Sequence, residues 1–71
     1  MYRIVIISED NKILFSEKGQ NIPSLVCGDT ILVDNEYSDI KGKYIIKDIE
    51  YKFYEDEYNH KEIIVGYYVK K

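Results

Sequence analysis

The sequence predicts an all-β fold: a five-stranded, strongly bent antiparallel sheet or small half-open barrel, with residues 1–71 forming a single small β domain. Three observations carry this. Isoleucine, valine and tyrosine supply most of the apolar residues and alanine is absent, a composition that suits a pleated, half-buried surface better than a helix. The apolar runs are short and separated by clusters of Asn, Asp, Gly, Ser and Lys. Finally, the stretch from Tyr44 to Phe53 carries two alternating apolar tracks out of phase with each other. Tyr44 and Ile46 share one parity, Ile49, Tyr51 and Phe53 the other, and Lys47 and Asp48 lie between them. A side-chain period of two keeps both sets on one face only if an extra residue is inserted, so a β-bulge is expected near Lys47. A strand bent in this way favours a curled sheet over a flat pair of hairpins.

The elements follow in order. Ile4–Ile7 and Ile13–Phe15 are apolar runs around the turn-forming Glu9, Asp10, Asn11 and Lys12, the pattern of a β-hairpin. Gly19 to Ser24, which includes Pro23, reads as a connecting loop at a sheet edge, because proline brings no backbone donor. Leu25, Val26 and Cys27 lead into Gly28 and Asp29. There the glycine frees the backbone angle and the carboxylate bonds a nearby amide, re-aiming the chain into a third strand over Thr30–Val33. Asp34 to Gly42 reads as a loop with room for one helical turn. The bent strand runs from Lys43 to Tyr54, Glu55 to Lys61 form a charged hairpin tip, and Ile63–Val69 returns as the last strand. A competing α+β reading places a helix near 48–58, capped by Asp48, since Ile49 and Phe53 also fall at helical spacing. Glu50 and Lys52, alternating with Ile49, Tyr51 and Phe53, favour the strand.

A chain of this length buries only about 60% of its unfolded surface, so its core is small. Eight tyrosines and two phenylalanines help to fill it, since each aromatic side chain buries roughly 150 to 250 Å². The single Cys27 forms no internal disulfide, which fits a reducing, cytoplasmic location, and a small buried hydrophobe is the role expected of it. Tyr2 to Ile7 is too short for a signal-peptide core, and no apolar run approaches the ~20 residues of a membrane-spanning helix. The net charge of −3 is interspersed along the chain and offers no positive field for phosphates, so nucleic acid ranks low among partners.

The chemistry-bearing residues do not assemble into a motif. His60 has Glu55, Asp56, Glu57 and Glu62 nearby, yet the spacing matches no metal-ligand pattern, and a solvated hairpin tip explains it. Cys27 and serines 8, 16, 24 and 38 have only that one histidine as a base, with no nucleophile elbow. Gly28 and Asp29 lack the repeated glycines and the following helix of a phosphate loop. The expectation is a non-enzymatic domain with no cofactor and no metal. Tyr37, Tyr54, Tyr58 and Tyr68 fall in loops or on the face opposite the core, where an amphipathic ring serves as a partner-binding anchor.

The order of features, Pro23, then Gly28 and Asp29 opening a strand, then the bent Tyr44–Phe53 segment and a final hairpin strand, resembles that of small SH3-like barrels over roughly Ile22 to Val69. It is also similar to short uncharacterised β proteins of phages and conjugative elements of low-GC Gram-positive bacteria. The prevalence of isoleucine, lysine, tyrosine and asparagine, all with AT-rich codons, agrees with that second resemblance. The resemblance implies a small SH3-like half-open barrel encoded on a mobile element. Peptide-binding SH3 domains carry an ALYDY-type motif and a groove tryptophan, and this chain has neither. Nucleic-acid-binding barrels of similar shape are basic, whereas this chain is acidic, so no functional residue carries over.

The reading that follows is a protein-interaction module that binds another protein or itself through a sheet edge or exposed tyrosines. The alternative is single-stranded nucleic-acid binding by stacking on Tyr51, Tyr54, Tyr67 or Tyr68, with lysines 43, 47, 52, 70 and 71 gathered on the same face. The phase break itself is testable by chemical denaturation. Ile49→Ala is expected to cost about 2 to 5 kcal/mol as a core truncation, and Lys47→Ala less than about 0.5 kcal/mol; equal effects would mean the inward set is misassigned.

Overall fold

The computed structural model describes all residues, Met1–Lys71, and contains five strands and no helix. These are β1 (Tyr2–Ile7), β2 (Ile13–Gly19), β3 (Thr30–Asn35), β4 (Ile40–Glu55) and β5 (Lys61–Lys70). They form one sheet in the order β2-β1-β5-β4-β3. The helix near 48–58 is therefore excluded, as that segment is strand and turn. The expectation of a purely antiparallel sheet is also corrected: β1 and β5 run parallel, from Tyr2 opposite Ile63 to Ile7 opposite Tyr68. Every local connection is a hairpin, so local sequence signals are antiparallel. The parallel pair arises where the β1–β2 hairpin docks on the β3–β4–β5 meander.

The bulge lies where the phase break puts it. The register of β4 against β5 shifts between Ile46 and Asp48, leaving Lys47 unpaired. Just before this point β4 changes partners: Ile40 to Ile45 pair with β3, and from Ile45 to Glu55, Lys47 apart, the strand pairs with β5. The Ile46 amide donates to the Asp29 carbonyl (2.9 Å), and the Ile46 carbonyl accepts from the Gly28 amide (2.8 Å), closing the corner. A second register shift, between Ile6 and Ile7, inserts Leu14 as the extra residue of β2 and sends it into the core.

The core is the concave face of this curled sheet. Leu14, Val33, Tyr44, Ile46, Val65, Tyr67 and Val69 form its buried centre. The chain crossing from β2 to β3 passes over that face and lays Ile22 and Leu25 on it, while the Tyr67 hydroxyl donates to the Pro23 carbonyl (3.3 Å). The two outer strands approach each other, and the Asn35 side-chain amide donates to the Leu14 carbonyl of β2 (3.0 Å). The sheet nonetheless remains open, because β2 and β3 share no ladder. On the convex face Val5 is buried beside Gly66. A Cβ at Gly66 would stand 3.5 Å from the Tyr68 ring and 3.8 Å from Ile7 Cδ1, so the bare position lets those two side chains lie over the sheet. Arg3 Nε and Glu62 Oε1 pair on this face at 2.9 Å.

Three further expectations are revised. The loop expected over Asp34 to Gly42 is a short turn, because β3 extends to Asn35 and β4 begins at Ile40. Cys27 is exposed, since the Leu25–Cys27 segment rides on top of the core and turns only Leu25 inward. Tyr51 and Phe53 have the predicted parity but run past the end of the core, at 54% and 76% exposure. Ile49 is half-buried, so its truncation falls near the low end of the expected range, at about 2 kcal/mol. Ile46→Ala removes a fully buried side chain and takes the upper end, at about 4 kcal/mol.

All three hairpins use one turn design. Asn11, Asp39 and Asn59 adopt left-handed angles (φ 62°, 54° and 63°), each donating its amide to the carbonyl three residues earlier: Ser8, Glu36 and Asp56. This is a type I turn followed by a left-handed residue, a common route to a short hairpin. The Asn59 side chain makes no hydrogen bond of its own, so the residue is selected for its backbone angle. Asn59→Gly is expected to stay within about 0.5 kcal/mol of the parent and Asn59→Val to cost about 1 to 2 kcal/mol in urea unfolding. A tolerated valine would contradict this account.

Candidate functional site

The feature that departs most from a closed, self-sufficient fold is the far half of β4. Residues Asp48 to Glu55 pair with β5 on one side and with nothing on the other, because β3 ends at the Thr30–Ile45 pair. Apart from the Ile49 amide, which donates to Asp48 Oδ1 (2.9 Å), the backbone groups pointing away from β5 along this stretch are an open strand edge. Its side chains sort by parity: Ile49, Tyr51 and Phe53 on the concave face, Asp48, Glu50, Lys52 and Tyr54 on the convex face. With β5, which β1 backs from Ile63 to Tyr68, this segment makes an arm whose last pairs, Tyr54–Glu62 and Glu55–Lys61, project past β1; the molecule measures 39 Å along its longest axis.

Cross-strand neighbours hold the arm together. Phe53 faces Ile63, Tyr51 faces Val65, and Glu55 faces Lys61 with opposite charge. Asp56 organises its tip. One carboxylate oxygen accepts from the Tyr58 and His60 amides (2.9 and 3.0 Å) and the other lies 3.0 Å from His60 Nδ1. These bonds, led by the His60 amide, hold the Asp56 carboxyl below the usual carboxylate range. His60 and Asp56 thus serve the turn, and no three His, Cys, Asp or Glu side chains converge on a metal-sized site. At the other hairpin tip Asp10 is lowered in the same way, first by its bond from the Ser8 hydroxyl.

The four anchor tyrosines do not form one patch. Tyr37, 99% exposed, sits in the turn before β4, and Tyr58, 73% exposed, in the turn after it, at opposite ends of a sixteen-residue strand. Tyr54 is exposed on the convex face of the arm. Tyr68 is half-buried there, with its hydroxyl 3.5 Å from Glu50 Oε1. Tyr54 and Tyr58 thus belong to the arm, Tyr68 borders it, and Tyr37 stands apart. The residues assigned to the core, Tyr51 and Phe53, are the ones that complete the exposed aromatic edge. A long strand beside a short third strand was the signal available, since a sixteen-residue β4 must outrun a six-residue β3.

Stacking geometry for nucleic acid is not assembled. Tyr67 is buried, Tyr51 and Tyr54 point to opposite faces, and Lys52 alternates on the convex face with Glu50 and Asp48. Lys47 is drawn toward Glu9, at 3.8 Å. Two shallow surface recesses accompany the arm and the sheet seam. One, of about 320 Å³, is lined by Phe53, Tyr54, Lys61 and Ile63 among others. The second, of about 270 Å³, is lined by Ile6, Phe15, Leu32 and Val33 with Asp34. Neither contains the convergent polar groups of a small-molecule site. No helix is long and apolar enough to cross a membrane. Comparison with known families, curated proteins and solved structures returned no match.

Tyr67 is the one buried phenol with a displaced titration. Burial, with a smaller contribution from the neighbouring Tyr51, pushes it above the ordinary value of 10.0. A raised folded-state value means the stabilisation is complete below the unfolded pKa and is lost as pH rises through the folded one. Melting temperature is therefore expected to fall as pH rises above about 10, and Tyr67→Phe to flatten that fall while costing about 1 kcal/mol at neutral pH. An unchanged alkaline slope in the variant would remove Tyr67 as its source.

Proposed function

We propose that the chain is a small, non-enzymatic protein-interaction module that receives an extended partner segment along the free edge of β4. The observation that carries this reading is the coincidence, in residues 48–55, of an unpaired strand edge and two exposed aromatic side chains on its concave face, Tyr51 and Phe53. Natural edges are usually blunted by a bulge, a proline, an inward charge or covering chain. On this edge the bulge at Lys47 precedes the open stretch, no proline lies in it, and its concave face is apolar. Strand addition supplies main-chain hydrogen bonds for affinity, and alternate side chains supply selectivity. Tyr54 and Tyr58 flank the same arm and extend the contact. A cytoplasmic setting fits a chain whose only thiol is free and exposed.

The test uses the intact protein as bait for a random peptide library displayed on phage, followed by hydrogen exchange on the complexes. Enriched peptides are expected to alternate apolar and polar residues and to protect amides within 48–55. Phe53→Ser is expected to weaken binding about tenfold, the loss of one aromatic anchor, with little change in melting temperature because the ring is exposed. Peptides that bind while leaving those amides unprotected would overturn the assignment, and so would an absence of enrichment.

A further inference from the structure

The free edge of β4 is self-complementary, and we propose that its partner is a second copy of the same edge, paired antiparallel about a two-fold axis at Tyr51. This inference rests on the strand-addition reading and specifies what is added. In an antiparallel pair made by a two-fold axis, residue i faces residue c − i of the other copy, and opposed residues share a face of the joint sheet. With the axis at Tyr51, Tyr51 meets its own copy, Ile49 meets Phe53 twice on the concave face, and Glu50 meets Lys52 twice on the convex face. Asp48 then faces the Tyr54 hydroxyl. Each apolar residue of the edge meets an apolar residue, and each charge meets its opposite or a hydrogen-bond donor.

The neighbouring registers lack this property. An axis at Lys52 sets Lys52 against Lys52, and one at Glu50 sets Glu50 against Glu50. An axis at Ile49 puts Asp48 against Glu50, and one at Phe53 brings Tyr51 against Glu55. Like charges directly opposite are destabilising, so the charge pattern selects the Tyr51 axis. Ile49 is half-buried, while Glu50, Tyr51, Lys52 and Phe53 are exposed, so four of these five positions are open to a partner. Pairing would join two five-stranded sheets edge to edge into one continuous sheet. With a single short strand pair at its centre, the interface sits at the small end of specific contacts, below about 1,200 Å², so association is expected in the micromolar range or weaker.

The test combines sizing of the purified protein over a concentration series with charge exchange. The parent chain is expected to move from monomer to dimer as concentration rises, with new protection of amides in 48–55. Glu50→Lys sets lysine against lysine at both of the convex-face charge pairs, and Lys52→Glu sets glutamate against glutamate there, so each variant alone is expected to stay monomeric. Mixed together they leave one pair of lysines facing one pair of glutamates across the axis, which restores opposite charge at both pairs, and they are expected to form a heterodimer. The doubly exchanged chain is expected to dimerise with itself. Rescue on mixing also shows that both variants are folded. A dimer insensitive to either exchange would overturn the Tyr51 register while leaving edge pairing intact. A parent chain that stays monomeric while library peptides still protect its β4 edge would overturn the second-copy assignment and spare the strand-addition reading. A monomer that binds no peptide would overturn both.

Discussion

The fold depends on the single extra residue at Lys47. β4 has two jobs that a straight strand could not perform: its first half pairs with β3, and its second half pairs with β5. The changeover is at Ile45, and the bulge just past it bends the strand while keeping Tyr44, Ile46 and Ile49 against the same core. Without the slip, Ile49 would point to the convex face with Asp48 and Glu50 inward, and the Asp48 carboxylate would replace an isoleucine opposite Tyr67. The backbone at the corner is satisfied by the Val26–Asp29 turn. Gly28 at φ 95° allows that turn, and the Asp29 carboxylate fastens it by accepting the Val26 amide at 2.9 Å. The bend and the turn that seals it therefore form one unit, built from residues far apart in the chain.

A single sheet has no second layer on which to bury its apolar face, and this one solves the problem by curling and by using its own connection as a cover. The crossing from β2 to β3 must span the sheet from one edge to the other, because those two strands are its outermost members. Its route over the concave side places Ile22 and Leu25 where a helix would sit in a larger α+β domain. The most protected residues lie on β5, with Val65 and Val69 fully buried, because it is paired on both sides along most of its length. Stability is accordingly expected to be graded, highest around β5 and falling outward along the arm.

What the sequence disclosed was what local chemistry encodes. The parity break at Lys47 and the Gly28–Asp29 turn were legible because each rests on a rule a few residues long: a side-chain period of two, a left-handed glycine, a carboxylate that bonds a nearby amide. The parallel β1–β5 pair was not legible, since it joins residues some sixty positions apart and no local signal marks it. The exposure of Cys27 was missed for a related reason: the crossing loop has apolar residues on both its inner and outer sides, and only tertiary position separates Leu25 from Cys27. The exposure of Tyr37, Tyr54 and Tyr58 was legible because their parity or turn setting dictates it. Tyr51 and Phe53 were misplaced because parity fixes the face of a strand but not how far along it the core extends.

The open edge follows from the same geometry that makes the core. β3 is six residues long and is used up by Ile40 to Ile45, so past the bulge β4 continues along β5 with no strand on its other side. The free margin of β4 is nevertheless part of a multi-stranded sheet, because the β5 residues it pairs with, Ile63 to Tyr68, are backed by β1. Its cross-strand pairs each contribute only about 0.2 to 1 kcal/mol, and the buried Val65 opposite Tyr51 ties the stretch to the core. An added strand along β4 would supply the missing partner for the backbone and cover Tyr51 and Phe53 in one step. The same topology that closes the core therefore also leaves this edge open, and on the strand-addition proposal the alternation of Glu50 and Lys52 across Tyr51 would select the strand that fits it.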